Sequence, residues 1–111
     1  MRIAQVYYNR KLAGTLTEIA PNNYIFRYDH TYFADPTLPA ISLTLPKRQQ
    51  EHRKDYLFSF FFNMLSEGVN LALQSRHLKI DEKDYFGLLL ATAQDDTIGA
   101  VTLKPAQEVK E

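Results

Sequence analysis

The apolar residues of this chain change their spacing near its middle, and this change is what most constrains the fold. Before residue 46 they alternate with polar residues, as they do in strands that bury one face. After residue 55 they recur at helical spacing and form runs that are apolar almost all round. A short β-rich stretch follows near residue 100. Strands, then helices, then one closing strand predict an α+β domain with a small, mostly antiparallel sheet covered by helices.

Four segments of the first half carry the alternating, β-branched and aromatic residues that are typical of strands. They are Ile3–Tyr8, Leu12–Ile19, Tyr24–Tyr28 and Ile41–Leu45. The fourth segment alternates cleanly, and we expect it to bury Ile41, Leu43 and Leu45 on one face. Gly14 interrupts the second segment and indicates a β-bulge or a close approach of another backbone.

Turn-forming residues separate these strands. Asn9–Lys11 and Pro21–Asn23 are predicted to be tight turns. The stretch Asp29–Pro39 contains two prolines, so we expect a loop there with one short helical turn.

Three helices are predicted in the second half, over Asp55–Leu65, Val69–His77 and Glu82–Ala93. Gly68 is suited to the left-handed position that ends the first helix, and Asp81 is suited to cap the third. Asp84 would then lie in the first turn, where the helix dipole favours an acid. The closing strand is predicted over Gly99–Leu103. We therefore expect one domain over residues 1–103 and a polar C-terminal tail over residues 104–111.

The composition excludes several classes of function. The chain has 111 residues, no net charge and no cysteine. A neutral chain has no overall field that would attract nucleic acid or acidic membranes. Without cysteine there are no disulfides, thiolate nucleophiles or thiolate metal sites. No signal-peptide core follows the N-terminus, and the apolar runs are far shorter than the roughly 20 residues that span a bilayer. We expect a cytoplasmic protein.

No motif in the sequence predicts catalysis, a cofactor or a metal site. The four glycines are too scattered for a phosphate-binding loop. Asp84–Gly87 has one residue more than the Asp-Phe-Gly of kinases and falls within a helical pattern. His30 has Asp29 and Asp35 nearby, yet a lone loop histidine is more often solvated than bound to metal. Ser66 has no histidine at a spacing that would activate it.

Residues 47–54 form the only concentrated basic stretch. We interpret it first as a solvated loop that joins the fourth strand to the first helix. The alternative is contact with an acidic partner or with a phosphate backbone. No aromatic residue is interleaved in this stretch, so it does not indicate a single-strand stacking platform.

Seven of the nine residues from Leu57 to Leu65 are large and apolar. Most of them are expected to be core residues. One helix in a domain of this size cannot direct all seven inward, so its Met64–Glu67 end is expected to remain available to a partner.

At this segment the sequence resembles a known family. Phe61–Gly68 (FFNMLSEG) resembles the Phe-Phe-x-Asn-Leu-Leu-Pro-Glu-Gly signature of HipA-like kinase toxins, with one residue fewer before the asparagine. Asp84–Leu89, Gln94-Asp95 and Gly99–Val101 resemble the motifs that follow it in that family. Ser66 stands where the family usually has proline, and Gln94 where it usually has glycine.

Upstream segments also resemble the N-terminal subdomain of these toxins and occur in the same order. These segments are Val6-Tyr7, Leu12–Leu16, Phe26–Tyr28 and Ile41–Pro46. The resemblance therefore covers about Val6 to Leu103. It does not include the ATP-binding and catalytic domains of the family, so it implies a chain that is not an enzyme.

A free-standing subdomain of this kind is similar to the HipS antitoxins of tripartite HipB–HipS–HipT systems, in which the kinase toxin lacks this subdomain. The resemblance implies an antitoxin that binds and inhibits a HipT-like serine/threonine kinase toxin, with a HipB-like DNA-binding protein as a potential third component. The implied partner-binding residues are Met64, Leu65, Ser66, Glu67 and Gly68. The alternative is an activating or scaffolding subunit that completes the kinase fold or links it to a DNA-binding repressor.

Overall fold

A computed structural model of the chain describes residues 2–65, 76, 79–81, 83–92 and 101–106. The strands among these residues are β1 (Arg2–Tyr8), β2 (Lys11–Ala20), β3 (Asn23–Tyr28), β4 (Glu51–Lys54) and β5 (Val101–Pro105). The helices are α1 (His30–Ala34), α2 (Ser59–Phe62) and α3 (Tyr85–Thr92). The strands form one antiparallel sheet in the order β4-β3-β2-β1-β5. The α+β prediction is confirmed.

The hairpin between β1 and β2 has the predicted tight turn. Asn9 and Arg10 both have positive φ, 48° and 70°, as the two central residues of a type I′ turn do. Gly14 lies where the β1–β2 register shifts, so the expected bulge is present. A Cβ atom at this position would collide with the carbonyl oxygen of Arg27 and lie 2.9 Å from Cζ of Phe26. Both expectations for Gly14 are therefore confirmed.

The core lies between one face of the sheet and the helices. The sheet contributes alternate residues, which is the period of side chains that point to one face. The helices contribute the apolar side chains that cover this face. The fully buried members are Ala4, Val6, Ala13, Leu16, Phe26, Tyr28 and Leu103 from the sheet, and Phe61, Phe86, Leu88 and Leu89 from α2 and α3.

The predicted strand Ile41–Leu45 is wrong. This segment is an irregular turn in which the Leu45 N–H donates to the Ser42 carbonyl, 3.0 Å away. Ile41 and Leu45 are buried as expected, but Leu43 is 99% exposed. Ile41 and Leu45 are four residues apart, a spacing that puts them on the same face of a strand. A turn can also bury both of them, so the apolar spacing did not distinguish the two structures.

The strand that completes the sheet is β4, which lies in the basic stretch that was interpreted as a solvated loop. That interpretation is wrong for Glu51–Lys54, which pairs with β3 through Phe26 and His52 and through Arg27 and Glu51. β4 is short and charged, as edge strands of natural sheets often are. β4 pairs with β3 through backbone N–H and C=O groups. Its side chains show none of the apolar alternation that would predict a strand.

The helices are shorter than predicted in the described residues. The chain from Asp55 to Phe58 is not helical, and α2 spans only Ser59–Phe62 before a turn to Leu65. The predicted helix Val69–His77 lies outside the described residues except for Arg76. The short helical turn after Asp29 is confirmed as α1, and Asp29 caps it by accepting from Thr31 and Tyr32.

The predicted cap of the third helix is also corrected. Asp81 accepts from the Lys83 N–H at 2.8 Å and so caps the turn before the helix. Asp84 lies directly before α3 and accepts from the Gly87 N–H at 3.1 Å, as an N-cap residue does. The closing strand is confirmed over Val101–Leu103 and continues to Pro105, while Gly99 and Ala100 lie outside the described residues.

Candidate partner-binding surface

Two of the five predicted partner-binding residues are described. Met64 is half-buried, and Leu65 is 4% exposed and belongs to the core. Both follow α2 in a tight turn, in which their N–H groups donate to the carbonyls of Phe61 and Phe62 at 3.1 and 3.0 Å. Ser66, Glu67 and Gly68 lie outside the described residues. The contact available on this described turn is therefore the Met64 side chain.

Three exposed aromatic rings lie on or near α2 and at the start of α3. Phe62 and Tyr85 are each 37% exposed, and their ring centroids are 5.1 Å apart in an edge-to-face arrangement. Tyr56 is 56% exposed and lies before α2. We call Tyr56, Phe62 and Tyr85 the aromatic patch. Large aromatic rings in contact with water are frequent anchors of protein interfaces.

The predicted site residues include neither Tyr56 nor Tyr85, and Tyr85 falls within the predicted helix Glu82–Ala93. Tyr85 directly follows the exposed Lys83 and the half-exposed Asp84 at the start of α3. These polar neighbours were the available signal that the first turn of α3 faces solvent. For Tyr56 the signal was its place after three charged residues, Arg53, Lys54 and Asp55.

A pocket of about 350 Å³ lies beside the aromatic patch. Tyr56, Leu57 and Tyr85 supply apolar wall, whereas Arg2, Glu18, Lys83 and Asp84 supply charge. The pocket thus combines aromatic rings with charged groups of both signs.

The charged floor of this pocket is an ion-pair network centred on Arg2. The Arg2 guanidinium lies 2.6 Å from Oε1 of Glu18 and 2.8 Å from Oδ1 of Asp84. Its centre also lies 5.1 Å from the Phe86 ring centroid, which is a cation–π distance. The Tyr24 hydroxyl donates to Oε2 of Glu18 at 2.9 Å. The network therefore joins β1, β2, β3 and the start of α3.

The network shifts the pKa values of its members. The hydrogen bond from Arg2 lowers the pKa of the Asp84 carboxyl, with further help from the Gly87 N–H. The hydrogen bond to Asp84 raises the pKa of Arg2, which is protonated at any physiological pH. Burial raises the pKa of Tyr24 to about 12, and its hydrogen bond to Glu18 contributes. The charges of Arg2 and Asp84 are therefore fixed at neutral pH, and Tyr24 keeps its proton there.

Among the described residues, no three histidine, aspartate or glutamate side chains are grouped as a metal site. The stretch Asp84–Gly87 opens a helix and buries Phe86, so it does not form the extended Asp-Phe-Gly segment of a kinase. Within the described part of the chain, no helix is long and apolar enough to cross a membrane.

Comparisons with known proteins agree with this architecture. The family model of the HipA N-terminal domain matches residues 4–104. An uncharacterised protein of Haemophilus influenzae is 28% identical over 108 residues, which cover 97% of this chain and 96% of that protein. A solved structure of the N-terminal domain of HipA toxin superposes with a TM-score of 0.72 at 22% identity. That match covers 98% of this chain and 96% of the other, and it shows the shared fold. The chain belongs to the HipA N-terminal domain family.

Proposed function

We propose that this protein is a cytoplasmic antitoxin that binds a HipT-like serine/threonine kinase toxin and inhibits it. The family match supports this proposal, because the matched model is that of the N-terminal domain and not of the kinase catalytic domain. A domain that packs on a kinase core in one chain retains an apolar face when it is a separate chain. Such a face is suited to binding the same kind of core in trans.

The observation that carries the proposal is the exposed pair of rings of Phe62 and Tyr85. A pair of rings this large would normally be buried, because burying such a side chain favours folding by about 1.5 to 3 kcal/mol. Phe62 precedes Met64, the first residue of the predicted partner-binding segment, by two residues. We propose that the aromatic patch and the Met64–Gly68 turn together form the surface that contacts the kinase.

Inhibition is proposed to follow from where this surface docks. A turn inserted near the nucleotide site or the activation loop of the kinase would hold that element in an unproductive arrangement. The buried Leu65 would contribute indirectly, because it fixes the turn to the core. Met64, which directly precedes Leu65, would then meet the partner without a large loss of conformational entropy.

The proposal is tested by co-expressing this chain with a HipT-like kinase toxin from the same organism. Growth rescue, co-purification and phosphorylation by the purified kinase would be measured with and without the chain. We expect rescue, a stable complex and reduced phosphorylation. A complex with faster phosphorylation would instead identify an activating subunit. If no complex forms, the proposed function is wrong.

The surface is tested with the double variant Phe62→Ser, Tyr85→Ser. Both side chains are partly exposed, so the variant should remain folded. We expect at least a tenfold loss of affinity for the kinase, since aromatic anchors commonly contribute 2 kcal/mol or more. Ile19→Ser is the matched control, because Ile19 is 41% exposed and lies in β2, away from the patch in sequence. Equal loss in the control would contradict the assignment of the surface.

A further inference from the structure

Leu43 is the most exposed large apolar side chain among the described residues. It lies at the tip of the turn between Ser42 and Leu45, with 99% of its surface open to solvent. Ile41 and Leu45, two residues before and two residues after it, are buried in the core. A single exposed leucine is common on protein surfaces and by itself indicates nothing. What distinguishes Leu43 is how rigidly its loop is held.

Two tyrosines of the core hold this loop, which we define as residues 39–47. The Tyr28 hydroxyl donates to the carbonyl of Leu45 and accepts from the N–H of Ile41 at 3.1 Å. The Tyr32 hydroxyl donates to the carbonyl of Pro39 at 2.6 Å. Both tyrosine side chains are almost completely buried, and their rings stack 5.9 Å apart. The backbone on both sides of Leu43 is therefore bonded to fixed groups.

The second end of the loop is fixed by charged and polar side chains. The Lys47 ammonium donates to the carbonyls of Asp35 and Leu38, both at 2.7 Å, and lies 5.0 Å from the Tyr32 ring centroid. Nε2 of His52 in β4 lies 3.0 Å from the Pro46 carbonyl. These bonds leave little freedom to an irregular segment that would otherwise be mobile.

The tip itself is braced by hydroxyl groups. Oγ of Ser42 lies 2.9 Å from Oγ1 of Thr44 and accepts from the Thr44 N–H at 3.2 Å. Leu43 is thus presented outward on a braced turn. An apolar side chain held in this way loses little entropy when it enters a pocket, which is the condition for an effective interface anchor.

The charges near the loop suggest what kind of pocket would accept Leu43. Arg48 directly follows the loop and is exposed, and no ion pair joins it to any described residue. Lys11 is also exposed and acts electrostatically on Asp35, at the base of the loop. A pocket with an apolar interior and carboxylates at its rim would complement one leucine beside exposed cations.

The loop and the aromatic patch lie at opposite ends of β3. Tyr28 holds the loop at one end, whereas Tyr24 lines the pocket beside Tyr56 at the other end. The two tyrosines are four residues apart, which in a strand is roughly 13 Å. One protein partner can reach both places within an interface of ordinary size.

We propose that the Leu43 loop is a second contact with the kinase toxin, in which Leu43 enters an apolar pocket with an acidic rim. This inference rests on the proposed function. A membrane is a poor occupant, because surface binding requires a broad apolar face rather than one leucine.

The test compares the affinity of the purified kinase for the wild-type chain and for Leu43→Ser by calorimetry. Leu43 makes almost no contact in the free chain, so the unfolding midpoint of the Leu43→Ser variant should equal that of the wild type. We expect at least a tenfold weaker affinity, because burial of a leucine contributes about 1.5 to 3 kcal/mol and 1.4 kcal/mol is tenfold. Arg48→Glu should also weaken binding and remove part of its salt dependence. Ile19→Ser serves as the control and should bind like the wild type.

A second variant, Tyr28→Phe, separates the rigidity of the loop from the contact that Leu43 itself makes with the kinase. It keeps the buried ring and removes the hydroxyl that bonds Ile41 and Leu45. We expect weaker binding than wild type while Leu43 is still present.

Several outcomes would overturn the inference. Unchanged affinity of Leu43→Ser for a kinase that binds the wild type would overturn it and leave the proposed function standing. Sedimentation that shows self-association abolished by Leu43→Ser would identify a second copy as the occupant. Leu43-dependent binding to phosphatidylglycerol vesicles would identify a membrane. Failure of the wild type to bind the kinase would instead overturn the proposed function, and this inference with it.

Discussion

Arg2 and Asp84 are 82 residues apart in sequence, yet the Arg2 Nη2 atom lies 2.8 Å from Oδ1 of Asp84. A second bond joins Nη1 of Arg2 to Oδ2 at 3.1 Å, so the pair is bidentate. The same guanidinium bonds Glu18, its neighbour across the β1–β2 ladder. The pair therefore fastens the start of α3 to the first strand of the sheet. Because Tyr85 follows Asp84 directly, this pair also fixes one ring of the aromatic patch.

Replacing Arg2 by Met should destabilise the protein. The variant keeps much of the side chain's apolar stem but leaves Glu18 and Asp84 without their shared cation. The side chains of Arg2 and Asp84 are 40% and 32% exposed, so screening by water reduces the effect. We expect the free energy of unfolding to fall by about 1 kcal/mol. Urea unfolding measures it, and Arg48→Met, which removes an exposed cation without a described ion pair, is the control. Equal stability of both variants would contradict this role.

The ion pairs of Arg2 should make the free energy of unfolding depend on pH in the acid range. The pKa of Asp84 is lowered in the folded chain, so the unfolded chain binds a proton more readily at this group. Its stabilising contribution is thus complete above the ordinary pKa of 3.8 and is lost as the pH falls below it. Asp84→Asn, which can still cap α3, should be less stable at pH 7 and should lose less stability between pH 5 and 3. Urea midpoints across this range give the comparison. Parallel curves for the two proteins would refute the assignment.

Tyr24 should produce the opposite dependence at alkaline pH. Burial and Glu18 raise its pKa from 10.0 to about 12, so the folded chain retains the phenol proton longer than the unfolded chain. Its contribution is complete below pH 10 and is lost as the pH rises towards 12. Tyr24→Phe should flatten the fall in thermal midpoint between pH 9 and 11. The difference in tyrosinate absorbance between the wild type and Tyr24→Phe follows the ionisation of Tyr24, and a difference transition at the ordinary pKa of 10.0 would contradict the prediction.

We expect that glycine is needed at position 87 because of the Asp84 carboxylate and not because of the backbone conformation. A Cβ atom at Gly87 would collide with Oδ2 of Asp84 and lie 3.3 Å from Nη1 of Arg2. Alanine normally stabilises a helix by up to about 1 kcal/mol relative to glycine. We expect Gly87→Ala to destabilise the wild type and to stabilise the Asp84→Ala variant. A double-mutant cycle of unfolding free energies tests this reversal of sign. The same effect in both backgrounds would show that the carboxylate is irrelevant.

Local sequence determined much of the fold. The alternation in the segments around Val6, Leu16 and Phe26 predicts three strands and the face that each one buries, because side chains alternate along a strand whatever its partner. The turn at Asn9 and the bulge at Gly14 follow from residues that tolerate special backbone geometry. The side chain of Asp29 caps α1 for an equally local reason.

The rest of the fold depends on contacts between segments that are distant in sequence. Glu51–Lys54 became a strand because the edge of β3 offered hydrogen bonds to its backbone, a cause that its own side chains do not record. Leu43 faces solvent because the Tyr28 hydroxyl bonds the backbone of Ile41 and Leu45, its flanking residues in a turn. Asp84, which accepts from the Gly87 N–H at the start of α3, is also bonded by Arg2, far away in sequence. Apolar spacing predicts which positions are buried, but hydrogen bonds between distant segments determine how the chain connects them.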